Sequence, residues 1–287
     1  MEKVPANQRK SLTPDNQGLG IACYIRVMTN GTHKADIPAT RFLGLDFHPM
    51  RTNEAARFIA GMASRHELFW YVVTPNVDHI VRLEREPDLR PLYDDAGLVL
   101  NDSRILELLA RRDGLEFTPS PGADVVAALF EREVLSAEPV CIIGCSEDDI
   151  ATLRERFNMA DIRWYDAPMG LRKNPLAIEQ AAEFMAQNNA RFHFLCVGAP
   201  QQEMIAQAAL RRGDVRGVGV CCGASLDFLT GKTSRAPGWM QRARLEWLHR
   251  LASEPGRLGK RYLVEGPAIL SIWLKHREAR LDRTQAS

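Results

Sequence analysis

The sequence predicts an α/β protein in which a largely parallel sheet is flanked by helices. Short apolar runs alternate along the chain with longer segments of helical periodicity. Of the 287 residues, 45% are apolar, which is enough to bury one substantial core. The predicted arrangement is Rossmann-like, and ligands of such sheets bind beyond the carboxyl ends of the strands.

Strands are predicted wherever a short apolar run is bounded by turn residues. They cover residues 42–47, 68–73, 98–100, 140–144, 162–165, 192–197 and 215–221. Helices are predicted between them from apolar residues spaced three and four apart. These cover residues 53–63, 77–86, 104–112, 123–135, 149–157, 175–188 and 201–211.

Three segments are predicted from composition. Residues 1–35 are rich in Asn, Thr, Lys and Pro, show no sustained periodicity, and predict a flexible extension. Residues 36–231 form the α/β domain, and residues 232–287 form a basic, amphipathic, helical appendage. The apolar run at 21–27 is too short for a signal peptide, and no run approaches the roughly 20 residues of a membrane span. We expect a cytoplasmic protein that is at most peripheral to a membrane.

The cysteines are expected to be structural. They are Cys23, Cys141, Cys145, Cys196, Cys221 and Cys222. Most lie in predicted strands, where a small buried thiol is common. Their spacing favours neither a zinc site nor a disulfide framework.

The appendage is basic and amphipathic. Its apolar residues recur at helical spacing, at Met240, Ala243, Trp247, Leu248 and Leu251. Residues 232–280 hold 11 Lys or Arg against 4 Asp or Glu, a local charge of +7, so the rest of the chain carries −6 within a total of +1. Such a patch suits an anionic membrane surface or a phosphate-bearing ligand. The alternative is a solvated helix packed on its own domain.

Several blocks of residues carry a resemblance to a known family. In the C-terminal third they are Asp227, Gly231, Lys232, Arg235-Ala236-Pro237, Trp239, Met240, Leu245-Glu246-Trp247-Leu248 and Arg250-Leu251. Upstream they are Thr74-Pro75-Asn76, Asp102, Gly122 with Asp124, and Gly198-Ala199-Pro200 with Gln202-Glu203. In order and spacing these blocks, which span about residues 40–263, resemble the WecG/TagA/CpsF glycosyltransferases.

The resemblance implies an inverting glycosyltransferase. Members of the family transfer a sugar from a UDP-sugar to a polyprenyl-diphosphate-linked saccharide at the bacterial inner membrane, in the assembly of surface polysaccharide or teichoic acid linkage units. The implied partners are therefore a UDP-sugar donor, a lipid-linked acceptor and an anionic membrane surface. No nucleic acid partner is expected, and an exposed apolar appendage would also allow a homo-oligomer.

Asp102 is the candidate general base. It follows a predicted strand directly, and the resemblance gives its carboxylate the task of taking the acceptor proton. Read without the resemblance, Asp102 or Ser103 would simply be a helix N-cap.

The resemblance assigns substrate binding to Thr74, Asn76, Asp124 and Gln202. Thr74 or Asn76 could instead cap the helix that begins near residue 77. Gln202 follows a Gly-Ala-Pro turn that would let a phosphate or sugar approach a helix N-terminus. Glu203 is interpreted as a first-turn charge that complements the helix dipole, and not as a catalytic acid.

No metal or cofactor is expected to hold the leaving group. The chain lacks an Asp-x-Asp motif, and the adjacent pairs Asp94-Asp95 and Asp148-Asp149 would point in different directions. Guanidinium groups can bind a diphosphate without a metal. The resemblance implies that Arg250, Arg257 and Arg261 bind the UDP diphosphate, so that the appendage would close over the site as well as contact the membrane.

Some positions depart from the family pattern. Asn101-Asp102-Ser103 stands where many members have Pro-Asp-Gly, and no Arg occurs at 117–121, before the Gly-x-Asp block. Residues 166–170 are similar to a Pro-rich loop of members from exopolysaccharide pathways. These departures leave the sugar undetermined but do not affect the reaction class.

Three other classes of function fit parts of the sequence. A nicotinamide-dependent oxidoreductase fits the alternating pattern, but Gly144-Cys145-Ser146 is not a full Gly-x-Gly-x-x-Gly loop. A nucleic-acid-binding module would use the basic appendage, yet the negative remainder of the chain would repel phosphate backbones. A non-catalytic, membrane-associated assembly protein of the same fold stays open as an alternative. Against it stands the joint presence of the four predicted site residues Thr74, Asn76, Asp102 and Gln202.

Overall fold

The computed structural model describes residues 37–64, 68–232 and 266–285, with side chains of the last segment described from 267 to 279. The predicted N-terminal extension lies outside these residues. The described residues from 38 onward form one compact unit. The boundaries placed at residues 35 and 231 stay predictions.

Six parallel strands form the main sheet. They are β3 (Trp70–Val73), β4 (Leu98–Val99), β5 (Val140–Ile143), β6 (Ile162–Tyr165), β7 (Phe192–Leu195) and β8 (Val218–Cys221). Their order across the sheet is β4-β3-β8-β7-β5-β6, so β8, the last strand that the structure describes, lies beside β3, the first strand of this sheet. The predicted parallel α/β sheet is confirmed, and six of the predicted strands match it within a few residues.

The prediction of one strand over residues 42–47 is wrong. Two short strands, β1 (Thr40–Phe42) and β2 (Leu45–Phe47), pair antiparallel outside the main sheet. Leu43 and Gly44 both have positive φ, at 48° and 85°, and reverse the chain between them. The apolar pattern is continuous through this turn, which is why it reads as one strand.

Ten α-helices are described, with two short 3-10 helices, Pro87–Leu89 and Leu171–Lys173, between them. The α-helices are α1 (Thr52–Ala63), α2 (Val77–Arg85), α3 (Pro91–Asp94), α4 (Arg104–Arg112), α5 (Gly122–Arg132), α6 (Glu147–Phe157), α7 (Pro175–Gln187), α8 (Gln201–Arg212), α9 (Ser225–Leu229) and α10 (Gly266–Gln285). The seven predicted helices are all present. The short α3 and α9 were not predicted, because four or five residues are too few to show a helical period.

Helices cover both faces of the sheet because the strands are buried on both. Tyr71 and Val73 belong to an apolar cluster shared with residues of α2, α4, α7 and α8. The intervening Val72 is fully buried toward the other face, since successive strand side chains alternate. On that face α1 packs against α5 and against β8.

The C-terminal helix α10 is part of the same fold. Ile269, Ile272 and Trp273 are buried in the cluster that lies against α2. The Trp273 indole donates to Asp113 at 3.1 Å, and Lys275 pairs with Glu84 at 2.7 Å. A C-terminal helix is therefore confirmed, whereas residues 233–265, with the basic Trp-bearing segment, lie outside the described residues. Within the described part of the chain, no helix combines the length and apolar character required to span a membrane.

Candidate functional site

Polar groups collect where the strands end, along an edge that we call the strand-end rim. The rim comprises the loops that follow the carboxyl ends of β4, β3, β8, β7 and β5. In this spatial order it carries Asp102, Thr74, Gly223, Gly198 and Cys145. Parallel strands bring these positions to one edge although the chain separates Thr74 from Gly223 by 149 residues.

Asp102 lies at the N-terminus of α5. Ser103, not Asp102, caps α4 by accepting from the Leu106 amide at 3.3 Å. Asp102 instead accepts a hydrogen bond at Oδ1 from the Gly122 amide at 3.0 Å. The partial positive charge of a helix N-terminus stabilises a carboxylate there. The half-buried Asp102 is thus held at the rim by the first amide of α5 and is not the N-cap of α4.

Thr74 approaches the same helix N-terminus. A Cβ built on Gly122 would lie 2.6 Å from Thr74 Oγ1, closer than such atoms can come. Only a glycine at this position lets the Thr74 hydroxyl reach the backbone beside Asp102. Thr74, Asp102 and Gly122 therefore form one constellation, although 48 residues separate its first and last members.

Asn76 is the N-cap of α2. Its Oδ1 accepts from the Asp78 amide at 3.0 Å and lies 2.9 Å from His79 Nδ1. The structure therefore shows Asn76 as a helix cap, through the oxygen of its side-chain amide. A substrate contact by the same side chain would involve its amide nitrogen and stays a prediction.

Gln202 joins two loops of the rim. It is buried, its Oε1 accepts from the Gly223 amide at 2.8 Å, and its Nε2 donates to Glu203 at 2.8 Å. It thereby ties the loop after β7 to the loop after β8, next to the strand that carries Thr74. The structure gives Gln202 a positioning contact, and direct contact with substrate stays a prediction.

Glu203 lies in the first turn of α8, where the sequence placed it, and its side chain is buried. Only 1% of it is exposed, and burial raises its pKa from 4.5 to about 7. The Gln202 amide and the Arg82 guanidinium oppose this rise without cancelling it. Within the described part of the chain, Glu203 Oε2 has no hydrogen-bond partner. The local sequence could not reveal this, because α8 packs on α3 and β3, which bring Tyr93 and Tyr71 near Glu203.

Asn101 supports Asp102 from the other side, a role that sequence analysis missed. Its Oδ1 accepts from the Ser103 amide at 2.9 Å, and its carbonyl accepts from the Ser120 amide at 2.8 Å. Its Nδ2 is buried and, among the residues the structure describes, has no hydrogen-bond partner. The available signal was its place directly before Asp102, where an amide side chain can brace the turn.

The remaining predicted site residues divide between the rim and the undescribed segment. Asp124 lies in the first turn of α5, two residues after Gly122. Arg250, Arg257 and Arg261 lie outside the described residues. The chain enters that segment from the rim, since Lys232 pairs with Asp149 at the N-terminus of α6 at 3.0 Å.

Asp149 is anchored as a carboxylate. Burial alone would raise its pKa, but hydrogen bonds from Ser146 and from Lys232 outweigh this and lower it to about 2. The Lys232–Asp149 ion pair is therefore complete at neutral pH and holds Lys232 at the rim.

The rim can hold anions and accept a proton. A helix N-terminus, a threonine hydroxyl and a half-buried carboxylate converge on one side of it, where strand ends bind ligands in such sheets. Across residues 37–64, 68–232 and 266–285, no group of three His, Cys, Asp or Glu side chains is arranged to hold a metal ion.

Replacing Gly122 by Ala tests this constellation. The added methyl group must displace Thr74 or the start of α5, and with it the hydrogen bond to Asp102. Because misplacement of reacting groups by about 1 Å can cost roughly 100-fold in rate, we expect Gly122→Ala to reduce turnover by one to two orders of magnitude. Steady-state rates and thermal unfolding of the purified variant would measure this.

Gly61→Ala is the matched control. Gly61 lies within α1, and no atom would lie within 4 Å of an added Cβ. Its replacement should leave turnover unchanged and, through helix propensity, stabilise the fold by up to about 1 kcal/mol. Equal rates for the two variants would show that contact between Thr74 and Gly122 is immaterial to function.

Comparison with protein-family models gives one match. The family model described as "Glycosyl transferase WecG/TagA/CpsF family" matches residues 40–283. The match covers most of the chain, including the whole sheet, every residue of the strand-end rim and most of α10.

Proposed function

Since this chain belongs to the WecG/TagA/CpsF family and is therefore a glycosyltransferase, we propose that it moves a sugar from a UDP-sugar to a polyprenyl-diphosphate-linked saccharide. In this proposal the sugar is a hexose or an N-acetylhexosamine. The enzyme is a hexosyltransferase or is similar to an N-acetylmannosaminyltransferase. The product enters exopolysaccharide or another cell-surface polysaccharide. Transfer proceeds with inversion and without a metal.

The observation that carries this proposal is the hydrogen bond between the Gly122 amide and Asp102 at 3.0 Å. It fixes one carboxylate oxygen at a helix N-terminus and orients the carboxylate at the strand-end rim. In an inverting transfer, a base at this position takes the proton of the acceptor hydroxyl as that oxygen attacks the sugar. Thr74, beside it, offers a hydroxyl to a sugar or phosphate oxygen.

The leaving diphosphate needs positive charge as its bond to the sugar breaks. We assign this role to Arg250, Arg257 and Arg261. Support comes from Lys232, the last described residue before them, which is held at the rim by Asp149. The chain thus leaves for the segment that contains the arginines from the strand-end rim. Gln202 and Asp124 complete the substrate contacts in this proposal.

The proposed place of action is the cytoplasmic face of the inner membrane, to which the protein binds peripherally. The acceptor is anchored in the bilayer by its polyprenyl chain, so the enzyme must work at the membrane surface. The net charge of +7 over residues 232–280 supports attraction to anionic lipids.

The reaction is tested by offering a panel of radiolabelled UDP-sugars together with bacterial polyprenyl-diphosphate saccharides, with EDTA present. Transfer from one donor would identify the sugar and show that no divalent metal is needed. If UDP fails to bind and no donor is used, the chain is a non-catalytic member of the family. Activity that EDTA removes and magnesium restores would refute metal independence alone.

The arginine assignment predicts weaker use of donor. A charge-assisted hydrogen bond contributes about 1.5–3 kcal/mol, so Arg250→Gln, Arg257→Gln and Arg261→Gln should each lower kcat/KM for the UDP-sugar by roughly 10- to 100-fold. Donor titrations at saturating acceptor measure this effect. Point variants of the full chain are needed, because truncation after Thr233 would remove α10 and expose the cluster that buries Ile269, Ile272 and Trp273.

Arg112→Gln is the control for lost positive charge. Arg112 is an exposed residue in the last turn of α4, the end away from the rim. Its replacement should leave kcat/KM unchanged. If the three appendage variants also behave like wild type, the diphosphate is held by other groups.

A further inference from the structure

Three neighbouring strands end in thiols at the strand-end rim. Cys145 follows β5, Cys196 follows β7, and Cys222 follows β8. The register of β7 on β8 pairs Leu195 with Cys221, so the next residues, Cys196 and Cys222, lie side by side. Their sulfur atoms are 3.3 Å apart.

Cys145 completes the group. Its side chain is in hydrogen-bond contact with that of Cys196, which therefore lies between two other thiols. Burial, together with these two neighbours, raises the pKa of Cys196 well above its ordinary value, so Cys196 keeps its proton at neutral pH. Cys145 and Cys196 are half-buried and reachable by small solutes, whereas Cys141 and Cys221 are fully enclosed within their strands.

We propose that the rim thiols are an oxidation site at which Cys196 and Cys222 form a disulfide bond. Neighbouring strands in register place Cα atoms within the 4.4–6.8 Å that a disulfide spans, so closure requires only that the sulfur atoms approach by about 1 Å. Neither cysteine is needed for the proposed transfer reaction, and this inference does not depend on it.

The oxidant is a peroxide. Cys196, the more exposed of the pair, reacts through the small fraction present as thiolate: its sulfur attacks a peroxide oxygen, the O–O bond breaks, and the departing hydroxide takes up the thiol proton, which leaves a sulfenic acid and one water. The second sulfur then attacks the sulfenic sulfur, the S–S bond forms, and the hydroxyl group leaves as a second water. Two thiols and one hydrogen peroxide thus give one disulfide and two waters, with the protons supplied by the thiols.

The bond would lock two loops of the rim. Cys196 lies two residues before Gly198, and Cys222 directly precedes Gly223, whose amide is bonded to Gln202. A covalent link between these loops would fix the separation that Gln202 now sets through a hydrogen bond. The oxidation state of the thiols would then control the mobility of this part of the rim.

The experiment compares full-length protein before and after hydrogen peroxide, in a Cys23→Ser background so that Cys23 cannot contribute. Thiols are then alkylated with N-ethylmaleimide in denaturant and counted by intact mass. The reduced protein should take up five labels and the oxidised protein three. Tryptic peptides should show Cys196 joined to Cys222, and dithiothreitol should restore all five labels.

Single variants identify the pair. Cys222→Ser and Cys196→Ser should keep every remaining thiol alkylatable after peroxide, whereas Cys145→Ser should still form the bond. Five labels after peroxide in the Cys23→Ser protein, or a bridge that maps to Cys145, would overturn the assignment. If a variant folds poorly, the peptide map of the Cys23→Ser protein, which keeps all three rim cysteines, still shows whether Cys196 is joined to Cys222.

Discussion

Asp102→Asn should fold normally, bind UDP with unchanged affinity, and lose transfer activity by about 100- to 10,000-fold. The fold is retained because an asparagine Oδ1 can still accept the hydrogen bond that the Gly122 amide donates at 3.0 Å. The activity is lost because the amide cannot take the acceptor proton, and a positioned general base contributes a factor of about 10² to 10⁴. Steady-state transfer and UDP calorimetry on the same preparation measure both properties.

Asp148→Asn is the matched control. Asp148 is an exposed carboxylate in the first turn of α6, so the same chemical exchange is made near a helix N-terminus that follows another strand of the sheet. It should transfer sugar at the wild-type rate. Near-normal transfer by Asp102→Asn would remove Asp102 from the role of base, and equal loss in both variants would point to helix electrostatics.

Glu203→Gln should make the protein more stable than wild type at pH 8 but not at pH 5. Burial raises the pKa of Glu203 from 4.5 to about 7, so the folded protein holds a proton that the unfolded chain releases between these values. The free energy of unfolding that this group contributes is therefore fully present below pH 4.5 and is lost as the pH rises toward 7. Glutamine is neutral throughout and avoids that loss.

The size of the effect follows from the shift. A difference of about 2.5 pKa units corresponds to roughly 3 kcal/mol, at 1.36 kcal/mol per unit, which is large against the total stability of a domain. Glutamine keeps the oxygen that accepts from the Gln202 amide, so the bridge to Gly223 persists. The charged and titratable groups around Glu203 are Arg82, Tyr71, Tyr93 and Cys221.

Chemical denaturation of both proteins at several pH values between 5 and 8 gives the measurement. The stability gap between Glu203→Gln and wild type should widen from pH 5 to about pH 7 and then level off. Glu147→Gln, at an exposed first-turn position of α6, should show no such widening. A constant gap for Glu203→Gln would mean that Glu203 is ionised in the folded protein at all these pH values.

Much of the fold could be predicted because its signals are local. Helix α4 and strand β6 begin and end at the predicted residues, since their apolar spacing and flanking polar residues lie within a few positions of each other. The hairpin of β1 and β2 was mistaken for one strand because a positive φ at Leu43 leaves no mark in an apolar pattern. Helix α10 was predicted as part of a helical appendage, but its packing was not, because the surface of α2 that buries it lies about 190 residues away.

For the site residues, too, identity could be predicted from local signals and contacts could not. Asp102, Thr74 and Gln202 could be selected from the sequence, by position after a strand and by the family resemblance. Their contacts could not be predicted from the sequence. The choice between a capping role and a functional role for Asp102 shows why. Ser103 takes the cap of α4 because Gly122, 20 residues away, provides Asp102 with a different donor.

The sequence by itself determined the α/β class, the strand ends at which polar residues gather, and the family. It could do so because periodicity, turn residues and motif spacing are properties of neighbouring positions. Only the tertiary structure decided that Gly122 meets Thr74 and Asp102, that Glu203 is buried, and that three thiols come together. These depend on the strand order β4-β3-β8-β7-β5-β6, which follows from how helices pack on both faces of the sheet and is not encoded in any local pattern.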